Sequence, residues 1–289
     1  MAQERLQKVL RDAGYGSRRQ CEQIIVEGRV QVNGETVTEL GSKGDPEVDE
    51  IRCDGTVIKP QTEVYYLVNK PTGFVCSNAP EKQLPRVIDL VPDTRQLHTV
   101  GRLDVPSQGL ILLTNDGELT QKLTHPKYGV QKTYRVITTG RITDDEMRLL
   151  RKTTHLAEGP ARPDRVKVVH RDPNRTTLEF VLSEGKNREI RRILARLHKK
   201  VKQLKRIRFG PLSLKGLPLG GFRKLTPEEV RELEDSVGKP TPRRGRKRPP
   251  ISEGKLTRKI HELKDRNRRS KGRRGGPPSG GGSSKGNRS

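Results

Sequence analysis

The sequence predicts an α+β fold: a small α/β module, then a larger domain on a mostly antiparallel sheet, then a disordered basic tail. Three observations carry this expectation. Short strand-like segments recur along the first 237 residues with only a few helical stretches between them. Asn-Gly, Asp-Gly and Ser/Thr-x-x-Glu/Gln signals punctuate those segments where hairpins and helix starts belong. From Lys239 onward the chain carries eighteen Lys or Arg against three acids, with no Phe, Tyr or Trp. The expected divisions are residues 1–62, 63–237 and 238–289.

Residues 4–14 place Leu6, Val9, Leu10 and Ala13 on one side of a helix that Gly14 and Gly16 break. Ser17-Arg18-Arg19-Gln20 is a capping box that opens a second helix, with Cys21, Ile24 and Ile25 inward and Gly28 at its end. Val30 to Val32 alternates into an Asn33-Gly34 turn, and Asp54-Gly55 marks a second hairpin. Arg18 and Arg19 fall in the first turn of the second helix, where the dipole prefers anions. A docked phosphate would make sense of that placement; two solvated arginines are the plainer alternative.

Pro60–Glu63 reads as a polar linker. Tyr65 to Val68 is the first strand of the large domain, and Lys70-Pro71 is a turn leaving a cation at its end. Gly101-Arg102-Leu103-Asp104 precedes Val105-Pro106-Ser107-Gln108-Gly109 and the apolar run Leu110 to Leu113, a buried strand. Asp104 thus occupies a turn entering the core, a place for a rigidly held carboxylate or for an Asp that bonds its own turn. A short helix through Leu119 and Leu123, a strand over Lys132–Ile137 and a capped helix from Thr143 follow. Val166–Val169 and Thr177–Leu182 are two more strands. Read as a helix, the Glu184–Leu194 stretch gathers Ile190, Ile193, Leu194 and Leu197 on one face, sets Arg188, Arg192 and Arg196 away from it, and leaves Arg191 on the flank. An arginine there can hold a buried Asp ionised, although many such helices are simply basic surface helices. Lys199 to Arg208 is dense in cations, and Thr226-Pro227-Glu228-Glu229 starts the last helix.

The chain has 289 residues and a formal net charge of +25, with 29% hydrophobic residues. Such charge points to nucleic acid as the partner. A membrane surface is disfavoured, because no long apolar segment or basic amphipathic stretch with bulky aromatics is present. No apolar stretch follows Met1-Ala2-Gln3-Glu4-Arg5, so no secretory signal is expected. Cys21, Cys53 and Cys76 lack metal-ligand spacing and are expected as core or near-core thiols in a reducing compartment, hence a cytoplasmic chain. No G-x-G-x-x-G or Walker loop occurs.

Leu6-x-x-x-Leu10, Ala13-Gly14, Ser17-Arg18-Arg19, Ile24-Ile25 and Gly28-x-Val30-x-Val32-Asn33-Gly34 together resemble the S4-like RNA-binding domain. Gly101-Arg102-Leu103-Asp104, Lys132-x-Tyr134 and Asn187-Arg188-Glu189-Ile190-Arg191-Arg192 resemble the pseudouridine synthases, within them the bacterial ribosomal branch with an N-terminal S4-like domain. Lys70-Pro71-x-Gly73, Leu204-x-Arg206-Ile207-Arg208-x-Gly210, Leu217-Pro218 and Gly220-Gly221-x-Arg223-x-Leu225 extend the resemblance to about residue 235. Ser107 stands where the family usually has Thr, and Ser77-Asn78-Ala79-Pro80 where a Thr and an Asp-Pro pair are more usual.

The resemblance implies that Asp104 is catalytic, that Tyr134 packs against the target base and that Arg191 pairs with Asp104. It implies isomerisation of a uridine in ribosomal RNA, large-subunit by preference, by a monomer needing no cofactor or metal. Asp104 would act as nucleophile or as base toward the ribose. Ser17, Arg18, Arg19, Lys70, Arg102, Arg188, Arg192, Lys205, Arg206 and Arg208 are the expected RNA contacts, and ribosomal RNA or an assembly intermediate the expected partner. The basic tail is expected to strengthen RNA association and its salt sensitivity. A non-catalytic ribosome-assembly factor and a small-subunit synthase are the alternatives.

Overall fold

The protein is described from a computed structural model, which covers residues 3–79 and 83–238. The expected tail, apart from Gly238, lies outside the described residues.

The front module follows from its local signals. After β1 (Glu4–Arg5) come α1 (Leu6–Asp12) and α2 (Arg18–Val26). Ser17 and Gln20 form the expected capping box on α2, and Gly28 follows its end at φ +70°. Strands β2 (Val30–Val32), β3 (Glu35–Val37), β4 (Lys43–Gly44), β5 (Ile51–Cys53) and β6 (Thr56–Val57) complete it. Four of them pair in the order β3-β2-β5-β6, while β4 pairs with β1. Both hairpin turns take the left-handed conformation at both central residues: Asn33 and Gly34 at φ 52° and 88°, Asp54 and Gly55 at 48° and 75°. Leu6, Leu10, Cys21, Ile25 and Val30 form the core between the helices and this sheet.

The large domain contains β7 (Tyr65–Lys70), β8 (His98–Thr99), β9 (Gln108–Thr114), α3 (Gly117–Thr124), β10 (Lys132–Thr139) and α4 (Asp144–Leu150). Next are β11 (Thr154–Leu156), β12 (Gly159–Ala161), β13 (Arg165–Arg171), β14 (Arg175–Leu182) and α5 (Glu189–Ala195). It ends with β15 (Val201–Phe209), β16 (Leu212–Ser213), β17 (Phe222–Lys224) and α6 (Pro227–Gly238). Nine strands form one sheet in the order β13-β14-β10-β15-β9-β7-β17, with β8 and β16 added at the side. The sheet is antiparallel, as the α+β reading expects, apart from one parallel pair, β9 with β15.

The apolar run of β9 is buried at every position because it lies in mid-sheet with side chains packed on both faces. On one face Ile111 and Leu113 meet Val136, Phe180, Ile190 and Leu194, so α5 packs there. On the other, Leu110 and Leu112 meet Leu119, Leu123 and Leu233, so α3 and α6 cover this half of the sheet. Val64 N donates to Asn115 Oδ1, and Asn115 Nδ2 donates to Thr62 O, so the expected linker is tied to the large domain. Among the described residues no helix is long and apolar enough to cross a membrane.

One glycine decides how the centre of the sheet is built. Gly109 lies opposite Lys70 on one side and Arg206 on the other, at φ +110°. A Cβ there would collide with the Arg206 backbone, 2.7 Å from its nitrogen. Gly109→Ala is therefore expected to lower stability by about 3 kcal/mol or more, combining wrong-hand backbone with a main-chain clash. Gly34→Ala, at φ +88° with nothing within 4 Å of the added methyl, is expected to cost about 1–2 kcal/mol. Denaturant titration of the two variants checks the difference.

Candidate active site

The Asp104 turn is fixed from below. Ser107 N donates to Asp104 O at 2.9 Å, and Gly73 N to Val105 O at 2.9 Å. Lys70 lies beneath with no exposed surface. Its Nζ donates to Pro71 O (3.0 Å), Asp104 O (3.3 Å), Val105 O (3.4 Å) and Ser107 O (2.8 Å). Burial pulls the ammonium pKa below its ordinary value, and Asp104 is among the groups opposing that shift. A buried charge is tolerable only when its donors are used in this way.

The expectation that Lys70 contacts RNA is corrected: β7 continues through Asn69 and Lys70, and the side chain enters the core. Arg206 needs the same correction. It is 2% exposed, its Nε donates to Leu110 O at 2.6 Å, and its Nη2 has no hydrogen-bond partner in the protein. Its position in β15 faces Gly109, whose missing side chain admits the close approach.

Above the turn, two guanidinium groups converge on the carboxylate. Arg191 Nε and Arg188 Nη1 each lie 3.7 Å from Asp104 Oδ2. Arg191 is anchored by Nη2, which donates to Ser107 Oγ at 3.2 Å and Pro106 O at 3.3 Å. The hydroxyl of Ser107 is thus used to position the arginine. Burial, then Arg188, lowers the Arg191 pKa, and Asp104 opposes this. The Arg191 Nε makes no hydrogen bond in the protein.

Arg188 is not on the helix, contrary to the continuous helix expected from Glu184. The helix begins at Glu189, and Arg188 caps it at φ 48°, ψ 33°. That left-handed residue turns the Arg188 side chain toward Asp104, a role that helical periodicity does not reveal. Tyr134 is 9% exposed and shares a core with Leu103, beside Asp104, and Ile190, beside Arg191. Across the sheet Lys70, Gly109, Arg206, Tyr134 and Phe180 form one register row.

The remaining expected RNA contacts divide. Arg18, Arg19 and Arg102 are exposed. Arg18 lines a cleft of about 870 Å3 with Arg11, Arg86, Arg95 and His98, where the front module meets the large domain. Ser17 caps α2. Arg192 is engaged by Glu158, at 2.9 and 2.7 Å. Lys205 and Arg208 lie on the opposite face of the sheet from Tyr134 and are not brought to Asp104. Lys132, two residues before Tyr134, has a pKa pushed down to about 8 by burial and then by Arg206. Asn78, in the loop that departs from the usual pattern, donates to Leu97 O at 2.6 Å. Among the described residues no three His, Cys, Asp or Glu side chains are grouped to hold a metal ion.

Residues 64–196 match the RNA pseudouridylate synthase family and residues 4–47 the S4 domain. An uncharacterised RNA pseudouridine synthase of Aquifex aeolicus is 38% identical over 251 residues, 85% of this chain and 100% of that protein. The ribosomal large subunit pseudouridine synthase B of Bacillus subtilis is 40% identical over 233 residues, 80% of this chain and 95% of that one. A crystal structure of a pseudouridylate synthase aligns with TM-score 0.56 at 29% identity, covering 79% of this chain and 99% of that chain. The chain belongs to the RNA pseudouridine synthases. Within that family it falls in the branch carrying an N-terminal S4 domain.

Lys70→Met is expected to leave the turn carbonyls without their donor, costing about 2–4 kcal/mol. It should lower uridine isomerisation more than RNA binding. Thermal melts beside turnover and filter binding on the same preparation check this.

Proposed function

We propose that the protein isomerises one uridine of ribosomal RNA, in the large subunit, to pseudouridine, with Asp104 as the reacting carboxylate. One observation carries the assignment: two guanidiniums converge on a single carboxylate whose turn is held by a buried ammonium. The choice of the large subunit rests on the 40% identity to the Bacillus subtilis large-subunit enzyme.

The reaction breaks the bond from uracil N1 to ribose C1′ and forms one from C5 to the same carbon. The C5 hydrogen leaves as a proton and N1 gains one, so the step is neither a redox reaction nor a hydrolysis. Asp104 acts on the ribose as nucleophile or as base, and either route needs the carboxylate ionised. Arg191 and Arg188 each set a guanidinium 3.7 Å from that carboxylate. Tyr134 offers a ring face to hold the base while the glycosidic bond is open, and the bound RNA itself must help keep water from capturing the sugar. Reaching an Asp in a turn at the head of a buried strand requires the uridine to leave its stack. Arg18, Arg19 and Arg102 are placed in this reading to hold flanking phosphates.

The test uses purified full-length protein and ribosomal RNA labelled with tritium at uridine C5, since bond formation at C5 releases the label. Asp104→Asn is expected to slow release by at least about 10³-fold while RNA binding stays within a few-fold. Release within tenfold of wild type would remove Asp104 from the chemistry. No release by wild type from any ribosomal RNA would favour an assembly factor that keeps the fold.

A further inference from the structure

Among the described residues, helices pack on one face of the half of the sheet formed by β13, β14, β10 and the first part of β15. Helices α4 and α5 pack on the side of Val136, Leu178 and Phe180, whereas α3 and α6 share a core with β7, β9, β16 and Phe209 at the end of β15. The register places Lys167, Glu179, Arg135 and Lys205 in one cross-strand row on the other face. Arg165, Val181, Thr133 and Arg208 form the next. At about 4.8 Å per strand, each row spans about 14 Å.

One cross-strand pair on this face opposes folding. Arg135 and Lys205 are direct cross-strand partners, and like charges so placed destabilise a sheet. Glu179, which ion-pairs with Lys167 at 3.0 Å, is the acid within the two rows. Two shallow troughs, about 480 and 370 Å3, run between these side chains. The covered face contains Tyr134 and α5 with Arg191, so the reacting site opens on the other side of the sheet.

We propose that this face is a second RNA-binding surface, one that grips the phosphate backbone of a substrate segment remote from the target uridine. The inference rests on the reading that RNA is the substrate. A polyanion is the occupant that relieves the Arg135–Lys205 repulsion and satisfies Arg165 and Arg208 together; a second copy of the same basic face would add to the repulsion. RNA bound at both faces passes round an edge of the sheet, so the substrate extends well beyond the nucleotides in the reacting site.

The test compares full-length wild type with the double variant Arg135→Gln/Lys205→Gln. The control is Arg148→Gln/Arg151→Gln, which removes two exposed charges on and just after α4. The binding probe is a labelled 40-nucleotide RNA hairpin lacking uridine, titrated from 50 to 200 mM KCl. The double variant is expected to bind at least fivefold more weakly at 100 mM KCl, with a salt slope shallower by about 1.4–1.8. Its thermal midpoint should stay close to that of wild type, because Arg135→Gln removes the repulsion with Lys205 and the attraction to Glu179 together. Unchanged affinity, or an equal loss in the control, overturns the proposal, as does preferential binding of an acidic peptide over the hairpin. Label release from ribosomal RNA by wild type separates the two readings. Without it the functional assignment fails, and with it but unchanged hairpin affinity only this surface fails.

Discussion

The Lys70 ammonium binds four backbone carbonyls, three of them in the turn that carries Asp104, from a position with no exposed surface. A cation so deeply placed is costly, and the hydrogen bonds that repay the cost fix the path of Asp104 to Ser107. Arg191 depends on that path, since its anchor points are Pro106 O and Ser107 Oγ. The facing of guanidinium and carboxylate is therefore a consequence of the turn. Gly109 belongs to the same unit, because only a residue without a side chain lets β15 approach β9 where Arg206 enters.

The sheet distributes its work by face. Its centre is buried on both sides, which gives the turn a rigid base. One face carries Tyr134 and the helix of Arg191. The other changes along its width from an apolar half under α3 and α6 to the cationic rows of β13, β14, β10 and β15. A site that acts on one base of a long polymer gains from such division, because phosphate contacts on one face leave the other free for the base.

Much of the architecture was legible because its causes are local. The Ser17–Gln20 and Thr143–Glu146 boxes, the two left-handed hairpin turns and the apolar β9 run each depend on a few adjacent residues. What escaped depends on contacts distant in sequence. The parallel pairing of β9 with β15 decides the burial of Arg206, and β9 and the Asp104 turn decide that of Lys70. The uninterrupted run from Tyr65 to Val68 was the available signal that the strand continues into Lys70. Arg188 is a different case: a left-handed cap breaks the helical period, so periodicity, which placed it away from the apolar face, gave no sign of the carboxylate it faces. The family resemblance pointed to Asp104 and Arg191, which lie 3.7 Å apart, while the means by which the turn holds them required the fold.

The central claim is that this carboxylate acts on a uridine of large-subunit ribosomal RNA. Pseudouridine mapping across all ribosomal RNA tests it most directly, in cells lacking the gene and in the same cells restored with wild type or with Asp104→Asn. The account predicts one large-subunit position that loses its modification and regains it with wild type alone. Restoration by Asp104→Asn, or a full set of modifications without the gene, would contradict it.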